Sequence, residues 1–178
     1  SVDLGEAIED AYLAALKKQG ARLRLAINAP SVTVVYTPLH GVGAALCERA
    51  LAAEGAEVLT VPEQRAPDGD FPTVRFPNPE EAGALDLAEA LVRASGADVL
   101  FANDPDADRL AAAVHVRDGG FSTIRRLSGD ELGAIFADAL LEARGKSKNE
   151  QERAFVGRSL VSSELLTPIA THWGARAV

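Results

Sequence analysis

Asp104, Asp106 and Asp108 stand at alternate positions, with Arg109 directly behind them and Pro105 stiffening the stretch. Carboxylates packed this closely repel one another unless a cation sits among them, and hard oxygen donors select magnesium, calcium or manganese over zinc. A solvated acidic turn is the other reading of the same residues. An EF-hand is excluded by spacing: counted from Asp104, its glycine position holds Arg109 and its glutamate position holds His115.

Such a loop needs a rigid element beneath it, and the apolar run Val99–Ala102 leads into it as a strand. Loops at the carboxyl ends of strands are where α/β sheets bind ligands. A second loop of this kind follows the β-branched run Val32–Tyr36, where Thr37 to Gly43 precede a helical pattern reaching Glu54. There Gly41 and Gly43 allow close backbone approach, and the side chain of His40 could face the cleft. Glu57–Val61 predicts a further strand. Residues 62–81, with Pro62, Pro67, Pro72, Pro77 and Pro79, predict a long loop that Phe71 and Phe76 pack down. Ala84–Ser95 predicts a helix stopped by Gly96. Leu110–Val116 and Phe121–Arg125 predict a hairpin turning at Gly119 and Gly120.

These elements predict an α/β fold, a mixed and mainly parallel sheet with covering helices, followed by an incomplete second α/β unit. A leading helix, with Leu4, Ile8, Tyr12, Ala15 and Leu16 on one buried stripe and Gly20 as its stop, enters the first unit. Ser128 and Glu131 form a capping box that opens a helix of the second. Beyond it, Arg144–Arg153 reads as a polar linker and Ala154–Val161 as a strand. A helix capped by Ser162 or Ser163 then runs towards Trp173, kinked at Pro168. Ala175–Val178 begins an element that is not completed.

Lys and Arg number 18 against 26 Asp and Glu, a net charge of −8, which argues against nonspecific binding to nucleic acid or an anionic membrane surface. No apolar run spans a bilayer. Cys47 is the sole cysteine, so neither an internal disulfide nor a cysteine-based zinc cluster is possible; it reads as a small buried hydrophobe in a reducing cytoplasm. His115 and His172 read as structural. The chain contains no methionine, which leads us to expect a piece of a longer protein.

The stretch NDPDADR, from Asn103 to Arg109, resembles the metal loop of the α-D-phosphohexomutases, the family of phosphoglucomutase and phosphomannomutase. YTPLHGVG (Tyr36–Gly43), FPNPEE (Phe76–Glu81), LSGDELGA (Leu127–Ala134) and VSSELL (Val161–Leu166) are similar to other segments of that family in the same order. The resemblance implies a four-domain parent with a phosphoserine in its first domain. Residues 1–126 would be the second, metal-binding domain, and 127–178 the N-terminal part of the third. Asp104, Asp106 and Asp108 would bind Mg2+, with a phosphoserine oxygen completing the site. Asp108, Arg109 and His40 would lie on the substrate side, Arg109 offering forked donors to the phosphoryl group. The parent would be an isomerase moving a phosphoryl group between C1 and C6 of glucose or mannose phosphate through a hexose bisphosphate. The family's serine motif, serine followed by histidine, asparagine and proline, does not occur here, so this chain is expected to be inactive without the remaining domains of its parent.

Two alternatives accompany that reading. Phosphatases of the haloacid dehalogenase type also carry an aspartate nucleophile at a strand end with a second aspartate two residues on, as Asp104 and Asp106 do, but place threonine or valine where Asp108 stands. A non-catalytic cation-binding module is the other.

Overall fold

The computed structural model describes residues 5–22, 31–145, 154–159 and 162–178. In chain order the elements are α1 (Glu6–Arg22), β1 (Thr33–Thr37), α2 (Ala44–Ala53), β2 (Glu57–Thr60), α3 (Pro62–Arg65), α4 (Asp86–Ser95), β3 (Val99–Asn103), β4 (Leu110–Asp118), β5 (Phe121–Leu127), α5 (Gly129–Arg144), β6 (Phe155–Val156), α6 (Leu166–His172) and β7 (Arg176–Ala177). They fall into two compact units, one of Ala29–Ser128 and one of Ser1–Asn28 with Gly129–Val178.

The first of these units is built on a sheet of order β2-β1-β3-β4-β5. Strands β2, β1 and β3 are mutually parallel, whereas β4 runs antiparallel to β3 and β5 antiparallel to β4. Only β4 therefore opposes the common direction, and the mixed, mainly parallel α/β sheet expected from the sequence is what forms. Strand β1 is central and its Val34, Val35, Tyr36 and Thr37 are all buried, which is why its run is apolar without alternation.

Strand alternation separates two faces. Val35 pairs with Leu100, and both belong to a core with Val61, Leu85, Ala88, Val92, Ala102 and Ala113, so α4 covers this side. Tyr36 pairs with Phe101 on the opposite side, where Cys47 of α2 reaches Asn103. Helix α4 ends on Gly96 in the left-handed region, φ 72°, with the Gly96 N–H bonded to the Val92 carbonyl. The β4–β5 turn places Gly119 at φ 51° and Gly120 at φ 90°, the paired positive angles that a two-residue hairpin favours.

Within the other unit, Trp173 Nε1 donates to Asp138 at 2.7 Å, and β6 pairs with β7 in parallel. Several local expectations change. Helix α1 continues through Gly20, and its Ile8, Tyr12, Ala15 and Leu16 are exposed rather than forming a buried stripe; Leu4 lies outside the described residues. Residues 62–81 open with the short helix α3, started by a proline whose missing N–H has no helical partner to lose. The same physics removes the expected kink at Pro168: α6 begins only at Leu166, so the proline falls within its first turn. The strand expected over 154–161 is limited to Phe155–Val156 among its described residues; residues 160 and 161, and 146–153 of the expected linker, lie outside them. No helix among the described residues is long and apolar enough to cross a membrane.

Candidate metal centre

Asn103 at the end of β3 pairs with Leu110 at the start of β4, so residues 104–109 form the loop of a β-hairpin. Because β1 and β3 are parallel neighbours, with Thr37 opposite Ala102, the segment leaving β1 emerges beside this loop. The two meet directly: the Val42 N–H donates to the Pro105 carbonyl at 2.9 Å.

The acidic loop is contracted into a turn. The Ala107 N–H bonds to the Asp104 carbonyl at 3.0 Å, and Ala107 itself is left-handed at φ 61°. That turn brings one carboxylate oxygen each of Asp104, Asp106 and Asp108 within 4.8 Å of one another. Asp104 is 2% exposed, whereas Asp106 and Asp108 open to solvent. Both oxygens of Asp104 are held by Arg109, one by its backbone N–H at 3.1 Å and the other by Nε at 2.7 Å. Arg109 Nε also lies 3.7 Å from Asp108, while its side chain stays 55% exposed.

The electrostatics follow from this geometry. Burial pushes the Asp104 carboxyl up, but the hydrogen bonds and charge of Arg109 outweigh it and hold the group below the usual carboxylate range. Asp108 is raised, first by the charge of Asp106 and then by that of Asp104. Converging hard oxygens with mutual repulsion suit a divalent cation such as Mg2+, so the donor set fits the metal expected here.

On the neighbouring loop, Leu39 and His40 are both left-handed, at φ 48° and 63°. His40 is 4% exposed, and its Nε2 lies 2.8 Å from Thr73 Oγ1, so the ring is engaged by residues 62–81. Its N–H donates to the Gln64 carbonyl and its carbonyl accepts from the Asp68 N–H. The structure thus brings Asp104, Asp106, Asp108 and Arg109 together, and seats His40 as a buried support of the adjoining turn.

Sequence reading missed Gln64, which is fully buried, accepts from Thr37 Oγ1 at 2.7 Å and donates to Thr73 Oγ1 at 2.9 Å. A glutamine in a proline-rich stretch gives no periodic signal for this. Cys47 is only partly buried, and burial raises its thiol, which makes it a poor nucleophile. His115 is structural, bonded to the Ala97 carbonyl and to Ser122. His172 packs edge-on against Trp173, their ring centroids 5.0 Å apart.

Residues 10–119 match the family described as "Phosphoglucomutase/phosphomannomutase, alpha/beta/alpha domain II". A probable phosphoribomutase of Schizosaccharomyces pombe is 37% identical over 161 residues, which cover 89% of this chain and 27% of the relative. A probable phosphomannomutase of Haemophilus influenzae is 38% identical over 173 residues, covering 95% of this chain and 32% of the relative. The chain therefore spans a third or less of the length of these curated relatives. The crystal structure of a phosphoglucomutase/phosphomannomutase family protein from Burkholderia thailandensis superposes with a TM-score of 0.71 at 21% identity, over 96% of this chain and 32% of that one, a likeness of fold.

Proposed function

The chain belongs to the phosphoglucomutase/phosphomannomutase family, and from that premise we propose that it is the cation-holding part of a sugar-phosphate mutase. On this reading residues 1–126 serve as the second domain of that enzyme and 127–178 open the third; the family match over residues 10–119 supports the first assignment, although Ser1–Asn28 groups with Gly129–Val178 in the structure. Asp104, Asp106 and Asp108 hold Mg2+; the observation that carries this reading is the convergence of their oxygens within 4.8 Å. A cation there neutralises charge on a phosphoryl group in transfer and orients it. Arg109 anchors Asp104 and turns its exposed guanidinium towards the same group, where planar forked donors match phosphate oxygens. Asp108 lies beside it on the open side. Gly41 and Gly43 keep the adjoining turn low, and His40, pinned to Thr73, braces that turn.

The substrates on this reading are phosphorylated hexoses, glucose or mannose phosphate, with a hexose bisphosphate as intermediate and a phosphoserine supplied by the rest of the enzyme. The resemblance to a probable phosphoribomutase makes pentose phosphate the competitor to test. The phosphatase alternative has less support, because Asp108 stands where such phosphatases place threonine or valine and adds a third converging oxygen to the cluster.

A coupled assay on the longer protein containing this chain tests the proposal, with glucose 1-phosphate, mannose 1-phosphate and ribose 1-phosphate as substrates. The wild type interconverts at least one of them with its bisphosphate and Mg2+ present. Asp106→Ala lowers the rate by more than about a hundredfold, the scale of one lost electrostatic group at a transferring centre. Undiminished activity in that variant overturns the metal assignment.

A further inference from the structure

Asn103 belongs to the acidic stretch, yet the proposed chemistry gives it no part. It is the last residue of β3, 7% exposed, on the face that carries Tyr36 and α2. Its Oδ1 accepts from the Tyr36 hydroxyl at 3.0 Å and from Cys47 Sγ at 3.5 Å, while its Nδ2 donates to the Arg109 carbonyl at 2.7 Å.

The orientation of this amide is determined by its partners. The Arg109 carbonyl only accepts, so the atom facing it must be a donor, and the fully buried Tyr36 hydroxyl donates to the other end. Aspartate has the same shape but would turn a bare oxygen towards the Arg109 carbonyl. Alanine would take the donor from that carbonyl and the amide acceptor from the Tyr36 hydroxyl. The Asn103–Arg109 bond closes the base of the hairpin loop, from its first flank to its last residue, and so holds the Arg109 backbone N–H against Asp104. Tyr36 extends the tie to the neighbouring turn, because a Cβ on Gly43 would lie only 3.1 Å from the same hydroxyl.

We propose that Asn103 is a positioning residue: it touches neither cation nor substrate, but by closing the loop base it sets the separation of the three carboxylates and hence the cation affinity. The affinity part rests on the reading that this loop holds a divalent cation; the loop-closing part does not. Amide hydrogen exchange by NMR on this chain, together with titration by Mn2+ alone, tests both.

In Asn103→Ala the amides of Ala107 and Arg109 exchange about tenfold faster, as the loss of one net hydrogen bond implies, while those of Val35 and Leu100 in the core keep their rates. Mn2+ affinity falls by about tenfold. Tyr36→Phe leaves the Asn103–Arg109 bond in place and retains most of the loop protection and affinity. Should Asn103→Ala fail to fold, Asn103→Ser, too short to reach the Arg109 carbonyl, gives the same readouts. Unchanged loop exchange overturns the proposal, as does acceleration of loop and core amides in step. A wild-type chain that takes up no Mn2+ overturns the cation reading instead, and the exchange rates then judge the loop-closing role by themselves.

Discussion

Gly41 and Pro105 are in backbone contact: a Cβ built on Gly41 would lie 2.7 Å from the Pro105 carbonyl carbon and nearer still to its Cα and oxygen. Neither obstacle is a flexible side chain, so a larger residue forces one of the two loops to move and breaks the bond from Val42 to Pro105. Gly41→Ala is expected to destabilise the protein by about 1–3 kcal/mol, the usual cost of overpacking, and to weaken Mn2+ binding. Gly69→Ala is the control, because a Cβ there meets nothing within 4 Å. Equal thermal melting of the two variants would show that the loops are not locked together.

Arg109→Ala removes the Nε bond to Asp104 while the backbone N–H stays, so a carboxylate 2% exposed loses its charged partner. The melting temperature is expected to fall by roughly 5 °C. Arg109→Lys recovers only part of that loss, because an ammonium group lacks the guanidinium's planar geometry. Full recovery by lysine, measured by calorimetry, would mean that charge alone holds Asp104.

Much of this arrangement is legible in the chain because it is local. Alternating aspartates stiffened by Pro105 mark the cluster, and the Gly119-Gly120 pair marks the hairpin whose ladder runs from Asp118–Phe121 to Ala112–Leu127. The strand before each site loop shows as an apolar run because both strands are covered on two faces. What sequence reading misses is held by partners far apart in the chain. Thr37 and Gln64 are 27 residues apart, and Tyr36 and Asn103 are 67 apart, and no helical or strand period announces a polar pair at such a distance. His40 illustrates the consequence: next to a glycine turn it reads as cleft-facing, yet Thr73, 33 residues on, claims its ring. Helix α1 fails for a related reason, since apolar spacing shows which face is greasy but not whether anything covers it.

Stability should depend on pH through Glu89, which ties α4 to β5 by accepting from Arg126 at 2.8 Å and also accepts from Arg93 at 3.0 Å. Burial raises this carboxyl, but the two arginines outweigh burial and lower it overall. A depressed folded-state value means that the contribution is present above the unfolded glutamate value, about 4.3, and is lost as pH falls through the folded value. Glu89→Gln is therefore expected to be less stable than wild type at pH 7, by about 0.5–1 kcal/mol, with the gap closing under acid. Urea midpoints at pH 7 and pH 3 decide it, and a gap that widens in acid reverses the assigned sign.

Gln64 gives the most direct check on what keeps the turn beside the acidic loop in shape. Leu39 and His40 both sit in the left-handed region, which non-glycine residues enter at a cost of about 1–2 kcal/mol each. Something must hold them there, and Gln64 does so from its carbonyl, which takes the His40 N–H, and from its amide, which bridges Thr37 and Thr73. Thr37 in turn accepts the Leu39 N–H at 3.0 Å, so the hydroxyl bonded to Gln64 also fixes the first left-handed residue. Gln64→Leu keeps the volume but leaves the fully buried Thr37 hydroxyl without its acceptor. Urea denaturation is expected to show a loss of about 2–4 kcal/mol, accompanied by faster exchange of the Leu39 and His40 amides and unchanged exchange in β3. A variant as stable as wild type would mean that packing, not this polar bridge, holds the turn against the acidic loop; Phe76, expected to pack this stretch down, is 59% exposed and contributes little to it.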